Sequence, residues 1–247
     1  MKVIAIIQAR MGSTRLPGKI LKEVLGKPLL EYQIEQVRNS KQIDEIVIAT
    51  TTKDTEQPII DLCGRLLVPY YRGSEEDVLS RYFEAAQQSH AEIIVRLTSD
   101  CPLIDPNVID EVISHYIKNF PIYDYVSNTI ERSYPRGLDV EVFSMQALEQ
   151  SFKKAKDTVC REHVTPYIYQ HTNLFNLGYV KNDLDLSKYR LTVDTEEDFK
   201  LVDQLIKELL KRDNKYFTLR DIIDVMQENP EWLFINSHIE QKKLNEK

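Results

Sequence analysis

The chain has 247 residues, 42% of them hydrophobic and 29% charged, which is enough for a sizeable core in one large domain or a domain with an appendage. Its 39 acidic against 32 basic residues give a net charge of -7, so no basic field covers the surface and non-specific binding to nucleic acid or to a membrane surface is excluded. Cys63, Cys101 and Cys160 form no CxxC pair, no apolar run nears the roughly 18 residues that span a bilayer, and "MKVIAII" is too short for a signal peptide; the expectation is a cytoplasmic protein in a reducing compartment, without a disulfide framework or cysteine zinc site.

Along the chain, short β-branched runs alternate with amphipathic segments. "KVIAII" (2–7), "EIVIAT" (45–50), "VPYY" (68–71) and "EIIVRLT" (92–98) read as strands, nearly continuous in apolar residues as buried parallel strands are. Helical segments lie between them: one from Pro28 through "LLEYQIEQVRN", then "EQPIIDLCGRL" and "EEDVLSRYFEAAQQ". This order predicts a doubly wound, three-layer α/β/α fold with ligands outside the carboxyl ends of the strands. Past residue 120, "YDYVSNT", "LDVEVFS", "FNLGYV" and "YRLTVD" read as strands. "MQALEQSFKKA", "REHVTPYIYQH" and "EEDFKLVDQLIKELLKR" read as helices. Residues 212–247 form a small helical extension ("TLRDIIDVMQE", an "NPEW" turn and a polar tail), expected to pack on the domain formed by residues 1–211.

The first strand runs into "QARMGSTRLPGKIL". Gly12 and Gly18 let backbone amides approach an anion, Ser13 and Thr14 add hydroxyls, and Arg10, Arg15 and Lys19 bring charge. The spacing matches neither GxGxxG nor GxxxxGK[ST], which removes dinucleotide and ordinary P-loop readings. A solvated loop with incidental charges is the bland alternative. So many donors in an acidic chain favour a polyphosphate.

This loop resembles the signature of the CMP-sugar-acid synthetase (cytidylyltransferase) family, and most of all its spore-coat polysaccharide biosynthesis protein F branch. "DEIVIATT", "YYRGSEEDVLSRY", "VRLTSDCPLIDP", "DYVSNT", "YPRGLDVEVF", "REHVTPYI" and "LTVDTEED" resemble that branch in the same order, over about residues 1 to 210. The resemblance implies a glycosyltransferase-A-like nucleotidyltransferase fold whose first loop wraps the triphosphate of CTP. Ala9, Arg10, Gly12, Ser13, Arg15 and Lys19 would then hold the nucleotide, and relatives of this kind form homodimers.

Asp100 in "RLTSDCPLID" and Asp194 in "RLTVDTEED" each follow a predicted strand. Two carboxylates on one sheet edge suit magnesium, which commonly takes one or two carboxylates plus substrate phosphate oxygens. From spacing alone the alternatives stand level: Asp194 with Glu197 also fits a helix capping box, and Asp100 a turn. The resemblance implies that both aspartates hold Mg2+.

In "RGSEEDVLSRY", Ser74 reads as a helix cap backed by Asp77, while the resemblance places Arg72 by the nucleotide base. Alternation in "SYPRGLDVEVFS" puts Asp139 and Glu141 on one face, either solvent or a polar pocket. "CREHVTPY" reads as a helix start carrying Arg161, Glu162 and His163. The resemblance implies that Arg136, Glu141, Arg161 and His163 border the acceptor. Together these expectations describe transfer of CMP from CTP to a hydroxyl of an acidic keto-sugar, with release of pyrophosphate. Arg15, Lys19, Asp100 and Asp194 would carry the chemistry by positioning groups and neutralising charge. Two rivals stay open: a glycosyltransferase of the same fold, for which "SDC" is a poor DxD motif, and a non-catalytic nucleotide-binding partner in polysaccharide assembly.

Overall fold

Val3 through Ile7 are all buried, and alternate residues among them serve opposite cores: Val3, Ala5 and Ile7 face one, Ile4 and Ile6 the other. Such a strand needs helices on both faces, and the computed structural model, which describes residues 1–212 and 216–241, supplies them. Strand β1 (Val3–Gln8) is followed by a two-stranded hairpin, β2 (Glu23–Val24) and β3 (Lys27–Pro28), and helix α1 (Leu29–Val37). Then come β4 (Glu45–Thr51), α2 (Gln57–Leu66), β5 (Tyr70–Gly73), α3 (Val78–Gln88), β6 (Ile93–Thr98) and α4 (Pro106–Lys118). The second half contains β7 (Tyr125–Ser127), β8 (Glu141–Ser144), α5 (Met145–Lys154), α6 (Thr158–His163), α7 (Pro166–Gln170) and β9 (Leu177–Tyr179). Helices α8 (Glu196–Leu209), α9 (Leu219–Glu228) and the short α10 (Leu233–Asn236) follow.

The seven-stranded sheet has the order β5-β4-β1-β6-β8-β7-β9, and β8 alone runs against the other strands. The carboxyl ends of β5, β4, β1 and β6 therefore share one edge with the start of β8, where Glu141 pairs in register with Arg96. Apolar residues of α1, α2, α4, α8 and α9 fill the core on one face, and those of α3, α5, α6 and α7 the core on the other.

The structure departs from the sequence reading at five places. Helix α4 was not anticipated, although Val108, Ile109, Val112, Ile113 and Tyr116 bury one helical face behind the Asp105 cap. "YRLTVD" is not a strand. Tyr189 through Asp194 are all buried, but only Arg136 and Arg190 form a bridge, because the segment lies across the sheet edge instead of joining a ladder. "REHVTPYIYQH" is two helices parted by Val164 at φ 73°, so Arg161, Glu162 and His163 end α6 instead of opening a helix. The cap of α3 is Asp77, which accepts from the Ser80 N–H, while Ser74 Oγ accepts from the Asp77 N–H one turn earlier. The cap of α8 is Thr195 boxed with Asp198, one residue later than the Asp194–Glu197 box expected, which leaves the Asp194 carboxylate available to the site.

The extension packs on the main core. Gln36 on α1 exchanges two hydrogen bonds with the Phe217 backbone, and Asp105 accepts from the Leu219 N–H at 2.7 Å. Residues 213–215 and the polar tail beyond 241 lie outside the described residues.

Candidate active site

The glycine-lysine loop leaves β1 at the carboxyl edge and folds back on itself, the Gly18 N–H donating to the Met11 carbonyl at 3.1 Å. Ala9 is buried and extends the β1–β4 ladder through its bond to the Ala49 carbonyl. Buried Glu56 anchors the loop by accepting from the Met11 N–H at 2.9 Å. Gly18 sits at φ 66°, a left-handed conformation that favours glycine, and turns the chain into the 3-10 turn Lys19–Leu21 that presents Lys19. Arg10 and Gly12 are exposed, and Ser13 Oγ accepts from the Leu16 N–H at 3.4 Å.

Lys19 Nζ reaches Asp100 Oδ2 at 3.0 Å and Asp194 Oδ1 at 2.8 Å. Asp194 Oδ2 meets both Arg15 and Arg190 at 2.8 Å. Four of the predicted residues thus converge on one point at the sheet edge. Burial works against the charge on Lys19, but the nearby Asp100 and Asp194 carboxylates outweigh it and raise its pKa above the ordinary lysine value. Burial also works against ionisation of Asp100, yet Lys19 and the Thr98 hydroxyl hold its pKa well below the usual carboxylate range. The segment carrying Asp194 is pressed against the Asp100 backbone, with the Val193 N–H donating to the Asp100 carbonyl at 2.8 Å. Close approach from the other side depends on Gly137 at φ 102°, where a Cβ would lie 2.6 Å from the Leu191–Thr192 peptide.

The donor set suits a hard divalent cation. Two carboxylate oxygens from separate loops converge on a single ammonium, the kind of pair that magnesium commonly takes together with water and phosphate oxygens. Among the described residues no group of three or more His, Cys, Asp or Glu side chains is placed to hold a metal ion.

Beside this point opens a pocket of about 480 Å³, lined by Arg96, Thr98, Thr129, Arg132, Asp139, Glu141, His163, Thr165 and Tyr169 among others. The Asp139–Glu141 face is thus a polar pocket and not open solvent. Glu141, buried, accepts from Arg96, from the Tyr125 hydroxyl at 2.6 Å and from the Thr165 hydroxyl at 2.6 Å. Arg132 forks onto Asp139 at 2.7 and 2.9 Å. Thr98 connects the two regions, lining the pocket while its hydroxyl favours the charged form of Asp100.

Three predicted residues stand elsewhere. Arg161 does not line the pocket: its guanidinium bonds the Asp77 cap and the Phe152 carbonyl, stapling α3 to α5 and α6. Arg72 straps the end of β4, donating to the carbonyls of Thr51, Thr52 and Lys53. Arg136 lies behind the pocket near Arg132, Asp139 and Arg190, where burial and the two neighbouring arginines lower its pKa. Sequence reasoning missed Arg96, Glu56, Arg190 and Asp198. A charge inside the apolar run "EIIVRLT" marked the first, and the i, i+4, i+8 spacing of Arg190, Asp194 and Asp198 marked the last two.

The family model for cytidylyltransferases matches residues 4–242. This chain belongs to the cytidylyltransferase family. It is 33% identical to the spore coat polysaccharide biosynthesis protein SpsF of Bacillus subtilis, over 93% of this chain and 95% of that protein. Among solved structures, a cytidylyltransferase from Leptospira borgpetersenii superposes with a TM-score of 0.90 at 34% identity, covering 98% of this chain and 100% of that one. A CMP-2-keto-3-deoxy-manno-octonic acid synthetase complexed with CTP superposes at 0.66 and 18% identity, covering 84% and 99%. The last shares the nucleotidyltransferase fold: a mostly parallel central sheet with helices on both sides.

Proposed function

We propose that this cytidylyltransferase transfers CMP from CTP to a hydroxyl of an acidic keto-sugar, releasing pyrophosphate. The product would serve surface or spore-coat polysaccharide biosynthesis in the cytoplasm. The observation that carries the reading is the convergence of Lys19, Asp100 and Asp194 beside a polar pocket, in a chain of this family. The structural neighbour complexed with CTP supports the nucleotide, and SpsF supports the pathway class.

Asp100 and Asp194 would hold Mg2+, which when bound neutralises and polarises phosphate oxygens. Lys19 and Arg15 would exchange their carboxylate partners for phosphate and balance the charge that builds on departing pyrophosphate. Gly12, Ser13 and Arg10 stand on the same loop, open to the nucleotide. Arg96, Glu141 and His163 would shape the acceptor pocket, with Thr98 at the end nearest Asp100 and the α-phosphorus. The deciding assay is pyrophosphate release with CTP and magnesium across a panel of keto-sugar acids. CTP-dependent release with one of them is expected. Absence of release with every acid, together with tighter binding of a sugar nucleotide than of CTP, would replace this reading with a glycosyltransferase one.

A further inference from the structure

Asp194 is held at the end of a relay that reaches the C-terminal extension. Its Oδ2 is bonded by Arg15 and Arg190, which turns Oδ1 toward the point it shares with Asp100 Oδ2. Arg190 is set in turn by Asp198, fully buried, whose carboxylate accepts from Arg190 Nε at 2.8 Å and Nη2 at 3.1 Å. Asp198 also accepts from the backbone N–H groups of Asp194 and Thr195 at 3.0 and 3.1 Å, so it fixes both the side chain and the backbone of the Asp194 segment.

The extension closes this unit from outside. Helix α10 packs on α8. Its last residue, Asn236, is 2% exposed, and its amide donates to the Arg190 carbonyl at 2.9 Å and to Asp198 Oδ1 at 2.8 Å. Gln241 Oε1 accepts from Arg190 Nη1 at 2.8 Å. A buried amide that spends its donors on these two residues is placed to orient, since the apolar packing of α10 does not require it.

We propose that Asn236 is a positioning residue for the divalent-cation site: through Asp198 and Arg190 it aims Asp194 Oδ1, and Gln241 supports it. This rests on the reading of Asp100 and Asp194 given above. Partners behind a metal ligand typically govern metal affinity tenfold to a hundredfold when removed.

The test is Mn2+ binding, followed by electron paramagnetic resonance, to the full chain with α,β-methylene-CTP. Wild type is compared with Asp194→Asn, Asn236→Leu and Gln241→Ala, with melting temperatures recorded for each. Asn236→Leu should bind Mn2+ at least tenfold more weakly and Gln241→Ala about threefold more weakly, while nucleotide affinity in EDTA stays within twofold of wild type. Gln241 is exposed, so its variant decides the matter if Asn236→Leu does not fold. If Asp194→Asn loses Mn2+ while both extension variants keep wild-type affinity, whatever their melting temperatures, the positioning role is overturned and the cation site stands. If Asp194→Asn binds Mn2+ as wild type does, the cation site itself is wrong and the proposal falls with it.

Discussion

The two ion-pair clusters at the carboxyl edge of the sheet use the same chemistry on different supports. In the pocket, Arg96 and Glu141 are register partners on adjacent antiparallel strands, so the backbone ladder brings them together. At the loop, Lys19 meets Asp100 across 81 residues of chain and Asp194 across 175, through side-chain contacts that no strand register sets. Strands place groups more rigidly than loops do. The pocket pair is therefore part of the framework and suits recognition of a fixed shape. The loop cluster can change partners without disturbing the sheet, as a site that admits a triphosphate and releases pyrophosphate must.

The largest expected effect separates the two by stability. Glu141→Gln strands the largely buried Arg96 beside Tyr125 and Thr165, and breaking a buried pair from one side costs about 3–5 kcal/mol. Lys19→Met also removes a largely buried charge, but Asp194 keeps Arg15 and Arg190 and only Asp100 loses its cation, so the cost should be smaller, about 1–3 kcal/mol. Urea unfolding of both variants checks the contrast, and equal losses would dissolve the distinction between framework and exchangeable charge.

That contrast also explains what could be read from the sequence. The loop cluster was legible because its cations lie within ten consecutive positions, Arg10 to Lys19, after an unmistakable strand. Asp100 was legible as the carboxylate two residues past β6. The pocket was harder. Arg96 hides in a strand whose neighbours are buried, and its partner is set by an antiparallel insertion that no local pattern announces. "YRLTVD" misled for a related reason: the apolar alternation of Tyr189, Leu191 and Val193 imitates a strand, while the backbone bonds go instead to Asp100 and Arg136. Arg161 carried the expected charge but points it at a helix cap, a tertiary pairing across 84 residues.

The next effect concerns turnover. If Asp100 and Asp194 act as one unit, Asp100→Asn and Asp194→Asn should each lower it about a hundredfold or more, the scale of losing one strong electrostatic stabiliser. The double variant should be little worse than either single one. Losses that multiply cleanly in steady-state assays of pyrophosphate release would show two independent roles, and the loop cluster would no longer be a unit to set against the pocket.

Lys19→Met should then act with opposite signs on two ligands. Losing a charged phosphate contact weakens CTP binding by about 1.5–3 kcal/mol. Removing the ammonium that bridges the two carboxylates frees them, so Mn2+ should bind more tightly than to wild type when nucleotide is absent. Calorimetric titrations with each ligand alone check both signs. Unchanged Mn2+ affinity would mean that Lys19 does not stand in the cation's place, and the cluster would be as fixed as the pocket.

The smallest effect is a pH dependence that belongs to the loop cluster. Lys19 and the Thr98 hydroxyl overcome burial and lower the Asp100 pKa from 3.8 to about 2. A carboxylate with a depressed folded pKa contributes stability that is fully present above its unfolded pKa and is lost as pH falls through the folded one, because the unfolded chain takes up the proton first. Wild type should therefore be more stable than Asp100→Asn at pH 6, and the gap should narrow by on the order of 1 kcal/mol by pH 3. Glu141→Leu examined in the same way supplies the comparison within the pocket, where the Arg96 charge is stranded at every pH. Urea midpoints at pH 6, 5, 4 and 3 follow the gap. If the wild-type and Asp100→Asn curves run parallel down to pH 3, Asp100 draws no net stability from Lys19. The pairing would then be indifferent to folding, and its exchangeability would rest on the turnover and ligand titrations alone.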